Sequence, residues 1–332
     1  MTTTRSTGPV LVVPAVGVAT LVGAFIAAQS RFNGDLAVAG AGTILAGWAS
    51  YVGTLATIAV VIVARGRAAR TVRTVRTRGR WWWFAIGLCG IPIVLGTAYG
   101  VPIVGVAVAS VASVAGQTVA GLALDARGVG VPGRLPLTGR RALAALAAVS
   151  GLGLAMAAGS GGSEVDAGQA IAIGVALFLA GATLAVQNAG NGAVARDSGD
   201  PMIAGLTSAT GGTVAISLLV GGAAVSGALS GTSLPSDPGA WYLYLGGPLG
   251  AAIVVAAAWA VRHLGTFALT LAVVAGQLVA AMAVDASRGL GVPWTTSASV
   301  LAIVVATTLG VTPTRAGRGR RWTSPRSSAT RR

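Results

Sequence analysis

The chain has 332 residues, of which 54% are apolar and only 9% charged, against about 25% charged in an ordinary soluble domain. Its mean hydropathy is +0.79, and its formal net charge is +15, carried by 23 bases, all arginine, against eight acids. So few charges cannot coat a soluble chain of this length, which excludes a soluble globular enzyme and a disordered chain and points to lipid as the outer solvent.

In chain order, apolar runs of membrane-spanning length, roughly 20 residues for a core about 30 Å thick, fall near 9–28, 36–64, 81–98, 101–124, 142–159, 168–186, 201–225, 241–260, 264–284 and 298–313. The runs 81–98/101–124 and 241–260/264–284 are tight pairs, read as two spans each because more than 40 apolar residues overshoot one crossing. Residues 1–8 form a short N-terminal segment, and 314–332 form an Arg-rich tail read as disordered. With the N-terminus inside, the inner segments hold 21 of the 23 arginines and the outer ones only Arg31 and Arg288. This bias predicts an even number of spans, with both termini in the cytoplasm. The charge is then an orientation signal, and no nucleic-acid partner is expected.

The chain also repeats itself. Gln29, Asn33 and Gly34 recur as Gln187, Asn191 and Gly192, and Ala46, Gly47, Ser50 and Gly53 recur as Ala204, Gly205, Ser208 and Gly211, all at an offset of 158. Trp81, Gly87 and Gly90 recur as Trp241, Gly247 and Gly250, and Val114–Gln117 as Val274–Gln277, at an offset of 160. Asp125 recurs as Asp285. Each copy, 9–159 and 168–313, spans five predicted helices. Five is odd, so the second copy enters the membrane from the opposite side. The predicted architecture is all-α and integral to the membrane: ten transmembrane helices as two inverted-topology repeats, typical of secondary transporters.

These residues resemble the drug/metabolite transporter superfamily, and within it the YdcZ-like branch of bacterial inner-membrane exporters. The resemblance rests on Gln29, Asn33 and Gly34, on Trp82 and Trp83 opening the third span, on Gly116, Gln117, Asp125 and Gly128 closing the fourth, and on their second-half copies. It implies a location in a bacterial inner membrane, a ten-helix bundle with a substrate cavity between the halves, and transport of small metabolites or drugs.

Amides in lipid need partners, so Gln29, Asn33, Gln117, Gln187, Asn191 and Gln277 are either interhelical ties or cavity groups for an uncharged or zwitterionic solute. Gln117 and Gln277 lie deepest in their runs. Trp48, Tyr51, Tyr99 and Trp259 could stack on a substrate or simply pack. Pro92 beside Gly90 and Pro248 beside Gly250 interrupt matched spans and are expected to open them as gating breaks. Gly128, Gly130 and Gly133 spell a dinucleotide-like pattern, but no strand precedes them, so they read as a loop. No metal site and no cofactor are called for. The lone Cys89 forms no intrachain disulfide. The partners expected are membrane lipids and an unidentified small solute, with homodimerisation left open.

The leading reading is a secondary carrier, driven without ATP and oriented for export. A scaffold or regulatory subunit is the alternative. A membrane-embedded enzyme is the weakest reading, because one His, one Cys and scattered end-of-helix acids supply no catalytic pair. It would need Asp35, Asp285 and Arg288 to cluster.

Overall fold

The computed structural model describes residues 11–147 and 167–287, with positions 150, 298, 301 and 305; the side chains of 97–111, 167, 170, 281, 282 and 284–287 lie outside that description. The described residues are all helical or loop. The helices are α1 (Val12–Leu36), α2 (Gly42–Ala64), α3 (Ala68–Arg78), α4 (Trp81–Ala85), α5 (Ile91–Arg127), α6 (139–147), α7 (Ala167–Ser198), α8 (Pro201–Val225), α9 (Gly246–Leu264) and α10 (Thr266–Ser287). Two 3₁₀ segments, Ile86–Gly90 and Pro238–Leu245, lead into α5 and α9. Four helical stretches are long and apolar enough to cross a membrane, or five if the bent pair Ala68–Arg78 and Trp81–Gly96 counts as one crossing.

Local chemistry sets the breaks. Gly40 (φ 117°) and Gly42 (φ 64°) take backbone angles closed to other residues and fold α1 back on α2. That reversal brings Gln29 and Asn33 of α1 to Ser50 of α2. Asp200 caps α8 by accepting the Met202 N–H at 2.9 Å, and Pro201 follows where its missing N–H costs nothing. Gly265 (φ 81°) separates α9 from α10.

The helical backbone is continuous from Ile91 to Arg127. Gly96 nevertheless lies against Leu177 and Ala180, and Gly116 against Phe178 and Ala182, all on one stretch of α7. A straight helix would hold those two glycines about 30 Å apart, so the chain turns back between them. Its second-half counterpart is split at Gly265. The ten-span count is not confirmed by the described residues. The fifth run is described only to 147 and at 150, the tenth only at 298, 301 and 305, and residues 1–8 and 314–332 not at all. Pro92 and Pro248 lie where the 3₁₀ segments pass into α5 and α9, inside the helical stretches Trp81–Gly96 and Pro238–Leu264.

The core is built across the halves. Ala15, Ala19 and Val22 of α1 pack against Ala257, Ala260 and Val261 of α9 and Leu269 of α10. Glycines set the closest crossings. A Cβ at Gly23 would overlap the Val273 carbonyl, and one at Gly276 the Thr20 carbonyl, so α1 and α10 touch backbone to backbone. The repeat mates do the same: a Cβ at Gly181 would strike the Ser113 carbonyl, and one at Gly116 the Phe178 carbonyl, where α7 crosses α5. The contact that joins the start of the chain to its last described helix thus recurs with the halves exchanged. Between these seams the mates α2 and α8 face each other. Trp48 Nε1 donates to Ser217 Oγ at 2.9 Å, and Thr213 Oγ1 donates to the Tyr51 carbonyl at 3.2 Å.

Candidate functional site

The repeated amides form two clusters with different degrees of satisfaction. In the first, Gln29 Nε2 donates to Ser50 Oγ at 3.2 Å and to the Gly246 carbonyl at 2.9 Å, using both its hydrogens. Asn33 Nδ2 donates to the same Ser50 Oγ at 3.3 Å, and Thr54 Oγ1 donates to the Gly247 carbonyl at 3.1 Å. The approach requires bare glycines, since a Cβ at Gly247 would lie 2.6 Å from Gly53 Cα, and one at Gly250 2.7 Å from Gln29 Nε2. This cluster ties the α1–α2 hairpin to the start of α9.

The second cluster keeps the serine contact and loses the rest. Gln187 Nε2 donates to Ser208 Oγ at 3.3 Å, matching Gln29 and Ser50. The position matching Gly246 is Ile86, whose side chain lies against Gly190; among the described residues Gln187 makes no hydrogen bond to its carbonyl. Asn191 is 3% exposed, and its Oδ1 has no hydrogen-bond partner among the described residues. Trp83, 1% exposed, has an equally unpartnered Nε1. Gln187, Asn191 and Val194 follow one face of α7, and Val194 and Ala195 pack on Trp83 and Ile86. A Cβ at Gly90 would lie 2.7 Å from Gln187 Oε1 and 2.8 Å from the Tyr51 hydroxyl, so groups from α7 and α2 converge there. An unmet buried polar atom costs about 1–3 kcal/mol.

The other expected residues scatter. Gln117 and Gln277 are half-buried with no hydrogen bond to each other among the described residues. Each lies one turn beyond Val114 or Val274, which pack in one small cluster between α5 and α10. Trp48 is tied to Ser217. Trp259 packs with the α1–α9 core, its ring 4.8 Å from that of His263. The Tyr99 side chain, like those of Glu164, Asp166, Asp285 and Arg288, lies outside the described residues. Asp35 pairs with Arg31 at 2.9 Å, one helical turn away. A groove of about 320 Å³ between α1 and α10 is lined by Thr20, Leu21, Val279 and small residues, and holds none of the amides.

One buried charge was missed as a pair. Asp125, at the end of α5 and fully buried, contacts the Arg141 guanidinium of α6. Its Oδ1 accepts the Thr266 N–H at 2.7 Å and its Oδ2 the Phe267 N–H at 3.2 Å, capping α10 from the other half of the chain. Arg141 stacks over the Phe267 ring, 5.0 Å from its centroid. The Gly265 backbone fits against this carboxylate, since a Cβ there would lie 2.7 Å from Asp125 Oδ2. The arrangement joins α5, α6 and α10 at one end of the bundle.

A family profile described as "Putative inner membrane exporter, YdcZ" matches residues 14–154 and again 172–312. No curated protein matches the chain. A solved structure described as "Crystal structure of protein" superposes with a TM-score of 0.64 at 16% identity, covering 91% of this chain and 96% of that one, a likeness of fold alone. Matched along both of its halves, the chain belongs to this YdcZ family of inner-membrane proteins.

Proposed function

We propose that the protein is a secondary carrier that exports small, uncharged or zwitterionic solutes by alternating access between two inverted five-helix halves, with both termini in the cytoplasm. The observation that carries this reading is the duplicated seam. Gly23 and Gly276 hold α1 against α10, and their mates Gly181 and Gly116 hold α7 against α5. Two like seams of opposite orientation can exchange roles, closing first one side of a central site and then the other. The family match supports transport as the activity and an exporter as the direction.

The Gln187–Asn191 face with Tyr51 is the proposed solute contact, and the Gln29–Asn33 cluster is its structural counterpart. Amides both donate and accept, which suits hydroxyl, amide or zwitterionic solutes. The described acids Asp35, Asp125, Asp197, Asp200 and Asp237 lie at helix ends or in loops, so the site relies on neutral groups. The test is a thermal-shift screen of metabolites on detergent-purified protein, since a ligand that binds the folded state stabilises it by mass action. Stabilising solutes are then measured for flux in proteoliposomes. A solute that stabilises the protein and crosses only in its presence upholds the carrier. Stabilising solutes that never cross, with a fixed protein partner co-purifying, would favour the scaffold reading.

A further inference from the structure

The seven arginines between α2 and α4 are absorbed neither by transport nor by the bundle's packing. Arg70, Arg73 and Arg76 recur every third residue along α3, on one face of the helix. Arg65, Arg78 and Arg80 flank them, and all six are exposed. Among the described residues none of the six has a carboxylate within ion-pair distance; only Arg67 does, with Asp200 at 3.4 Å. The opposite face is anchored: Thr71 is buried, Val75 packs on the Trp83 cluster, and Ala68 packs on Ile58 and Ile62. The helix axis turns by 115° into Trp81–Gly96, so α3 lies across the direction of the next apolar segment instead of continuing it. Val72 on α3 is 65% exposed, and Trp81, opening the segment after the turn, is 81% exposed, apolar groups of the kind that anchor at a membrane surface.

We propose that α3 is an in-plane amphipathic helix whose Arg70–Arg73–Arg76 face binds the phosphates of anionic phospholipid headgroups. The fixed geometry, a short helix held by its buried face to α2 and the α7–α8 corner, makes this a site on the folded protein rather than a loose basic tail. Arginine forks suit phosphate oxygens, and clustered bases beside a membrane segment favour anionic lipid. The proposal does not depend on what solute is carried.

The experiment uses the full chain in neutral detergent micelles, with thermal unfolding followed as phosphatidylglycerol or phosphatidylcholine is added. Phosphatidylglycerol raises Tm by several degrees, and the rise shrinks in about 0.5 M salt; phosphatidylcholine does not produce it. The triple variant Arg70→Gln, Arg73→Gln, Arg76→Gln keeps a good helix former at each position and loses more than half of the rise. The corresponding triple lysine variant retains at least half, and truncation after residue 313 leaves the rise intact. Should the triple glutamine variant fail to fold, the single Arg73→Gln gives a measurable part of the loss. Equal stabilisation by both lipids, a full rise in the triple glutamine variant, loss of the rise on truncating the tail, or the same rise from inorganic phosphate alone would each overturn the proposal.

Discussion

Alanine at the repeat mates Gln29 and Gln187 separates the structural amide cluster from the solute-facing one. Gln29→Ala removes hydrogen bonds of 3.2 and 2.9 Å and leaves the Gly246 carbonyl without its side-chain partner. At about 0.6 kcal/mol per interhelical bond, with a further allowance for the stranded carbonyl, the loss is roughly 1–2 kcal/mol of stability. Gln187→Ala removes one bond of 3.3 Å, a loss of about 0.6 kcal/mol or less. It also removes an amide from the proposed solute face. A neutral hydrogen bond of about 0.5–1.5 kcal/mol there changes apparent solute affinity roughly 2- to 10-fold. Thermal unfolding in micelles reads the first quantity, and flux of a stabilising solute in proteoliposomes reads the second. The expected pattern is crossed: Gln29→Ala lowers Tm more, and Gln187→Ala lowers flux more. A Gln187→Ala protein with unchanged flux and the larger drop in Tm would refute the division of labour.

Other consequences follow from the same contacts. Asp125→Ala leaves Arg141 buried without its carboxylate and strips the cap from α10, a loss of about 3–5 kcal/mol; in a double-mutant cycle on unfolding, the Asp125→Ala, Arg141→Ala pair loses less than the sum of the singles. Gly116→Ala and Gly181→Ala each push a methyl into the facing backbone carbonyl and cost about 1–3 kcal/mol, measured by thermal unfolding; a neutral result for both would mean the α5–α7 seam is looser than described. Trp48→Phe removes only the Ser217 bond, so it shifts stability by about 0.6 kcal/mol and leaves solute flux within error. For orientation, in a Cys89→Ala background, Arg73→Cys is labelled by an impermeant reagent only from the cytoplasmic side and Ser236→Cys only from outside; labelling of both from one side contradicts the topology.

The repeat was legible because its carriers are glycines and amides that stand out in apolar runs. Gly116 and Gly276, carried by a repeated motif, lie where backbones touch, and the Gln–Ser pairs Gln29–Ser50 and Gln187–Ser208 were visible as repeated spacing within the chain; the matching contacts at Gly23 and Gly181 emerge only from the packing. The difference between the mates was not legible. It depends on an acceptor in the other half, the Gly246 carbonyl for Gln29, while the corresponding position next to Gln187 is Ile86. Pro92 and Pro248 marked places where the helix changes from 3₁₀ to α geometry. Asp125 looked like an end-of-helix acid; its job as a cap joins residues 141 positions apart, which no local pattern encodes. The expected turn between the third and fourth spans rested on length alone; the contacts of Gly96 and Gly116 with one stretch of α7 require it.

Counterflow in proteoliposomes tests the central claim most directly. Vesicles holding the purified chain are loaded with a stabilising solute and diluted into a trace of the same solute carrying a label. An alternating-access carrier predicts a transient accumulation of label above its equilibrium level, saturable by unlabelled solute. No accumulation beyond that of protein-free vesicles, or a linear and unsaturable leak, would contradict the account.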